Sequence, residues 1–518
     1  VNKARSLQLL ALAGLAPLIL SACGTPPAPD QNSGKGGGQA PGGTKQAPPP
    51  PPEAKFAQVD NAQVKSLQLV TLRNDPAKVV AEVPQVPNAR NLSQAIEVVR
   101  ERQLRQATWA KASQVDIKSQ VVASSPEVVG VAVTSTSTEN GAQVQRPVTI
   151  WYDAAESQSY SSPILIDAGK WGDFKKAALD AGGKAKLDAG KLGKALDEAP
   201  APEGNGPAMG FDNTGALVLR FGSGVLAPEA QGLLVPKEAV TPALSPFGTK
   251  AQAAATSPSA YTAVGQPKQG GAQTTPSAAP SASGSASPGA AAKRPSTAIG
   301  PDCRVLKCVA LTYDDGPGPG TGKVLDVFNQ AHAAATFFQM GEGIKGYPDT
   351  VRKVATMGME VGNHSSTHPD ISKLSGAALD KQVGGNSEAL KALTGRPPLL
   401  FRPPYGAHND NSDKVIGAAG MAVINWSVDT LDWQTKSTPK TENSAVYQGV
   451  ASPNAIVLMH DIHDFTVAAA PAIVQGLQDK GATLVTVSEL TVNSGGVYPG
   501  RGYCHGTQTK QDGFGCKG

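Results

Sequence analysis

Val309-Ala310-Leu311-Thr312-Tyr313-Asp314-Asp315-Gly316-Pro317 is an apolar run that stops at two adjacent carboxylates and a Gly-Pro turn. Its apolar half reads as a strand buried on both faces, and Gly-Pro ends that strand. Two like charges side by side at a strand end raise the cost of ionising both, unless a cation or base stands close. Asp-Asp-Gly-Pro is also ordinary turn chemistry, so the stretch takes its meaning from the residues C-terminal to it.

Beyond this turn, short apolar strands alternate with helical segments. Strands are expected at 309–313, 335–339, 359–363, 399–402, 421–428, 456–460 and 483–487. Helices are expected between them at 323–331, 350–357, 377–393, 411–419 and 467–480. This alternation argues for an α/β fold with a parallel sheet closed into a barrel, whose site is built by the loops after the strands.

Four more polar clusters sit at such strand ends. Asn363-His364-Ser365-Ser366-Thr367-His368-Pro369 places two of only 7 histidines four residues apart. Such a pair can converge on one metal, and an aspartate would complete a His₂Asp set with an open position for water. In Phe401-Arg402-Pro403-Pro404-Tyr405-Gly406 the paired prolines fix a rigid turn, which suits either Arg402 set against a carboxylate with a backbone N–H near Tyr405 turned outward, or a structural turn with a surface arginine. Asp429-Thr430-Leu431-Asp432-Trp433 and Leu458-Met459-His460-Asp461 complete the group. A histidine ending an apolar strand is commonly a packed core residue; Asp432 favours function for His460, because a bonded carboxylate sets the imidazole tautomer and raises its pKa. Trp433 and Leu458 would then wall the reacting carbonyl.

In order and spacing, Thr312–Pro317, His364–His368, Arg402–Gly406, Asp429–Trp433 and Leu458–Asp461 resemble the five motifs of the polysaccharide deacetylases with a NodB-type domain, carbohydrate esterase family 4. Tyr313 stands where phenylalanine is usual. The resemblance implies a distorted (β/α) barrel of fewer than eight strands and one divalent metal, usually zinc. Residue by residue, it implies Asp315, His364 and His368 as ligands, Asp314 as base, and Arg402 holding Asp314. It further implies His460 as general acid with Asp432 as its partner, and the Tyr405 N–H at the oxyanion. The implied activity is N-deacetylation of cell-wall polysaccharide, on GlcNAc or MurNAc of peptidoglycan or on chitin-like oligomers. An O-acetyl esterase acting on xylan or another acetylated glycan and a non-catalytic wall-binding or sensor lipoprotein are the competing readings.

The rest of the 518-residue chain divides by composition. Residues 1–23 carry Lys3, Arg5 and an apolar core too short to span a bilayer, ending in Leu20-Ser21-Ala22-Cys23-Gly24, which resembles a bacterial lipobox. Residues 24–56 are a Pro/Gly-rich spacer, 57–245 a smaller α+β accessory domain, and 246–300 an Ala/Ser/Pro/Gly linker. The catalytic domain is expected at 301–490, followed by a cysteine-containing tail at 491–518. In the accessory domain a helix at 91–112 precedes strands at 127–134, 147–152, 216–221 and 231–235. That layout resembles a small extracellular domain found beside some wall deacetylases and in some anti-sigma factors. It carries no catalytic constellation and suits binding or positioning.

Net charge is +4 with no block of like charge, which excludes a nucleic-acid footprint. Cys303, Cys308, Cys504 and Cys516 are an even set suited to disulfides in an exported protein, with three connectivities open. The chain is therefore expected to be a monomer outside the cytoplasmic membrane, tethered by lipid at Cys23 and facing wall glycan. Fractionation of cells carrying Cys23→Ala should move the protein out of the membrane; unchanged retention would remove the anchor.

Overall fold

The computed structural model describes residues 54–262 and 293–506; Cys23, the spacer up to residue 53, the middle of the linker and Cys516 lie outside them. The front half is built on a six-stranded sheet in chain order: β1 (Gln68–Asn74), β2 (Val79–Gln85), β3 (Gln114–Ser124), β4 (Val128–Glu139), β5 (Ala142–Asp153) and β6 (Gln158–Ser161). All neighbours are antiparallel except β2 and β3, which run parallel because helix α1 (Arg90–Trp109) crosses between them. Asn140 (φ 50°) and Gly141 (φ 82°) make the tight turn of the β4–β5 hairpin, where two left-handed residues match the strand twist. A second antiparallel sheet holds β7 (Ala208–Phe211), β8 (Leu217–Phe221) and β9 (Gln231–Val235). The strands β1 to β3 were not anticipated from sequence, although the alternation Val79, Ala81, Val83 is buried residue by residue.

The linker expected from residue 246 is corrected at both described ends. Pro246–Thr256 is a helix, with Ser245 Oγ accepting from the Gly248 N–H and Phe247, Ala251, Ala254 and Ala255 buried. On the far side the Ser161 N–H donates to the Thr297 carbonyl and Ile299 enters the core. An alanine-rich stretch reads as linker because alanine contributes little apolar area, and only its packing against a neighbour reveals the helix.

The second half is a parallel barrel. Its strands are β10 (Cys308–Asp314), β11 (Thr336–Gln339), β12 (Glu360–Asn363), β13 (Leu400–Phe401), β14 (Ala422–Ile424), β15 (Val428–Asp429), β16 (Ala455–His460), β17 (Thr483–Val485) and β18 (Gly502–Tyr503). They lie in the order β15-β16-β10-β11-β12-β13-β14-β18, with β17 beside β10, and a bridge from His505 to Ala455 brings the tail back to β16. Cys308, Ala310, Phe338, Leu400, Ala422, Ile424 and Ile456 pack together inside, while Val309, Leu311, Tyr313, Val457 and Met459 pack under the outer helices. Three strand expectations are corrected. The sheet holds nine strands rather than fewer than eight, because 421–428 divides and the tail adds β18. Asn425-Trp426-Ser427 splits 421–428 into β14 and β15, and Val487 starts a helix because Thr486 and Glu489 form its capping box. The tail contributes Tyr503 to the inner core. Among the described residues no helix is long and apolar enough to cross a membrane.

The two halves are docked on each other. Helix α1 lies on the barrel floor, the face where strands begin. Arg90 donates to the carbonyls of Leu399 and Val497, Asn91 to Val492, and Arg105 to Gly358. Gln94 donates to Ser488 and Thr491 and accepts from the Val497 N–H. Glu489 receives Arg102 at 2.6 Å and also Arg105, while Arg396 reaches Glu97 at 2.8 Å. Gly358 (φ +75°) can hold no Cβ, which would stand 2.1 Å from the Glu101 carbonyl. Glu489→Ala should therefore strand the buried Arg105 guanidinium, while Arg102 keeps Glu203, and cost about 3–5 kcal/mol in urea unfolding of the full chain; a loss within experimental error would show that the contact is idle.

Candidate metal centre and active site

Asp314 is the last residue of β10 and shares the inward parity of Cys308, Ala310 and Thr312. Side chains alternate, so the next carboxylate should face away. Instead Asp315 takes φ +67°, a conformation L-residues adopt only under constraint, and its carboxylate turns to the same mouth. Its Oδ1 lies 3.4 Å from Nε2 of both His364 and His368. The three donor atoms stand within 4.8 Å of one another.

The histidines are held by their loop. His364 follows β12, and its Nδ1–H donates to the Arg402 carbonyl at 2.8 Å, leaving the Nε2 lone pair toward Asp315. Asn363 accepts from the Ser365 N–H and from Asn386, and its amide donates to Val383 and Ser387. Ser365 Oγ in turn accepts from the His368 N–H. Burial, then the charge of His364, lowers the His368 pKa, which favours the neutral ring that binds metal. Burial alone would raise the Asp315 carboxyl; the His364 ring beside it, with the charges of His460 and His368, brings it to about 2. These residues fit a divalent cation. Asp315 Oδ1 is buried without a hydrogen-bond partner and faces two imidazole nitrogens, a His₂Asp donor set suited to zinc.

Arg402 is wholly buried. Its Nη1 donates to Asp314 Oδ1 at 2.8 Å and to Thr312 Oγ1 at 2.7 Å, while Nε and Nη2 reach the carbonyls of Ile424 and Asn425. The guanidinium lies 4.1 Å from the Phe338 ring centre and 5.7 Å from that of Trp426, so charge, bonds and stacking fix it together. Across the mouth, His460 ends β16 as the register partner of Asp314. Its Nδ1 bonds Asp432 Oδ1 at 2.8 Å, and Asp432 Oδ2 accepts from the His460 N–H and from Thr466 Oγ1. Burial pulls the His460 pKa down, but the bond and charge of Asp432, with Asp314 and Asp315 behind it, raise it to about 9.

Tyr405 sits at φ +60° with its side chain 71% exposed and its ring edge-on to His368 at 4.6 Å. Trp433 is half-exposed beside Asp432, whereas Leu458 is buried on the inward face with Ile456 and His460. Tyr313 points away from the mouth. It stacks on Phe337 under the outer helices, so the tyrosine in place of phenylalanine leaves the site untouched. Cys303 and Cys308 form a disulfide below the mouth at the start of β10; Cys504 is also disulfide-bonded, and Cys516 lies outside the described residues. Sequence reasoning missed Asn363, Thr466 and Trp426 as supports. Asn363 opens one of the quoted stretches and Trp426 lies shortly before another, but Thr466 carried no signal.

The polysaccharide deacetylase profile matches residues 303–424. The peptidoglycan-N-acetylmuramic acid deacetylase PdaC of Bacillus subtilis is 37% identical over 36% of this chain and 38% of its own length. A peptidoglycan-N-acetylglucosamine deacetylase of Bacillus cereus is 35% identical over 34% of this chain and 67% of its own. A chitooligosaccharide deacetylase of Rhizobium leguminosarum is 32% identical over 34% of this chain and 88% of its own. A solved structure of Bacillus subtilis PdaC aligns at 35% identity over 37% of this chain and 92% of its own, with a TM-score of 0.34.

Titration with zinc should separate the two aspartates. His364→Ala should lose the ion, whereas Asp314→Asn should bind it within about a factor of ten of the parent; equal metal content in both variants would contradict the ligand assignment.

Proposed function

The chain belongs to the polysaccharide deacetylase family, and on that premise we propose that its barrel is a metal-dependent hydrolase that removes N-acetyl groups from cell-wall glycan. The observation that carries this reading is the convergence at one barrel mouth of Asp315, His364 and His368 with the pairs Asp314–Arg402 and His460–Asp432. Amide hydrolysis needs an activated water, a stabilised oxyanion and a proton for the departing amine.

Asp315, His364 and His368 would hold one divalent ion, most simply zinc, which supplies Lewis-acid polarisation of the acetyl carbonyl and acidifies a water. Asp314, oriented by Arg402, takes the proton from the attacking water. The Tyr405 N–H, set outward by the left-handed backbone, donates to the developing oxyanion. His460 keeps its Nδ1–H on Asp432 and delivers the Nε2 proton to the sugar nitrogen, so the amine leaves neutral and acetate is released. Trp433 and Leu458 line the acetyl end.

The relatives named for peptidoglycan support a substrate in the wall, and the lipobox-like segment supports a lipid tether at Cys23 outside the membrane. The tether and spacer would carry the docked pair of domains into that layer. The complete acid, base and ligand set argues against a silent wall-binding scaffold.

Acetate release from purified peptidoglycan and chito-oligosaccharides, abolished by a chelator and restored by zinc, tests the function. Release from acetylated xylan alone would transfer the reading to an esterase. Asp314→Asn should lose about 10²–10⁴-fold in kcat. Because protonated His460 is the acid and its pKa is raised to about 9, activity should fall as pH rises through that value. Asp432→Asn removes the raising charge, so this basic limb should move to lower pH; an unmoved limb would assign the ionisation to another group.

A further inference from the structure

Asp461 follows His460 directly, lies wholly buried, and takes no part in the proposed chemistry. Its Oδ2 accepts from Thr321 Oγ1 at 2.6 Å, and that same hydroxyl accepts from the Gly318 N–H at 2.9 Å. Its Oδ1 has no hydrogen-bond partner among the described residues. A buried carboxylate so exposed to desolvation is costly, and burial raises its pKa to about 7. Such a group persists where the surroundings gain from its shape.

Those surroundings are the glycine-rich loop that follows the two site aspartates, Asp315-Gly316-Pro317-Gly318-Pro319-Gly320-Thr321. A Cβ on Gly316 would stand 2.6 Å from Asp461 Oδ1. One on Gly320 would stand 2.5 Å from the Asp461 carbonyl oxygen, and one on Gly318 would press Ile462 at 3.0 Å. None of the three has a left-handed φ, so these glycines provide room for close approach rather than backbone freedom. From the other side the Met340 N–H donates to the Gly316 carbonyl at 2.7 Å, and a Cβ on Gly343 would meet the Pro317 carbonyl at 2.8 Å. The loop has no slack.

We propose that Asp461 is a positioning residue: a buried post around which the loop 316–321 is wound, holding Asp315 in its left-handed conformation with its carboxylate on the two histidines. The inference rests on the metal-site reading above. Holding Asp315 at φ +67° strains the backbone, and its neighbours must offset that strain. The chain from Asp461 through Thr321 and Gly318, with the contact at Gly316, is the restraint the geometry offers. Because the post works by shape and by accepting from Thr321, an amide should replace it.

The test uses the full chain, with zinc affinity read without substrate and steady-state kinetics on chito-oligosaccharide read separately. Asp461→Ala should weaken zinc binding about 10–100-fold and lower kcat, with KM within about threefold of the parent. Asp461→Asn should restore both to within about threefold. Unchanged zinc affinity in Asp461→Ala overturns the proposal. So does failure of Asp461→Asn to rescue, which would assign the effect to charge. If Asp461→Ala does not fold, Thr321→Val severs the link while keeping the carboxylate, and zinc affinity equal to the parent's would overturn the proposal in the same way. The zinc measurement stands even if the parent releases no acetate from any glycan, so failure of the clamp and failure of the deacetylase reading are separable.

Discussion

Everything at the barrel mouth depends on one backbone reversal. Alternation along a strand forbids neighbouring side chains from sharing a face, yet Asp314 and Asp315 serve one site because the strand ends between them and Asp315 turns to φ +67°. Asp314 keeps the inward direction of β10 and meets Arg402; Asp315 swings to the histidines. A regular strand continued by one residue would bury the second carboxylate among the aromatic rings around Tyr313 and leave His364 and His368 without a third donor.

The reversal is strained, and the mouth is arranged so that strain and charge are both offset. The site gathers three carboxylates: Asp314 has a guanidinium, Asp315 two imidazoles, and Asp432 a histidine and a threonine hydroxyl. Each partner also fixes geometry: Arg402 orients Asp314, and Asp432, bonded to Nδ1 of His460, sets the tautomer of that ring. The His364 ring is turned by the carbonyl of Arg402 itself, so the loops that carry these two residues are registered on each other. Tyr405, another left-handed non-glycine residue at the mouth, leans its ring on His368. Displacing either loop would misalign both halves of the site, the sensitivity expected when reacting groups must be held within an ångström.

The floor of the same barrel is sealed by a helix from the front half. Helix α1 buries Glu97, Arg100, Glu101 and Arg105 as well as its apolar residues, and its charged face meets Arg396 and Glu489. Docking there leaves the opposite face, where the strands end, open. The front domain and the mouth that holds the candidate site therefore occupy opposite ends of the barrel.

The five polar clusters, their placement at strand ends and the order of the barrel elements were legible in the chain alone. Local rules decide them: apolar runs of strand length, turns at Gly-Pro and Pro-Pro, and ligand types at matching spacing. Nearly every expected barrel strand and helix was found within a few residues. Contact with distant chain decided the rest. The charged face of α1 reads as solvated until Glu489 and Arg396, nearly 300 residues or more away in sequence, are seen against it. The helix Pro246–Thr256 hides in linker composition because its burial is supplied by other elements. Residue types also named Asp314 and Asp315 as candidates, but only the tertiary structure could turn the second one inward, because a left-handed aspartate is held by its packing and not by its own preference.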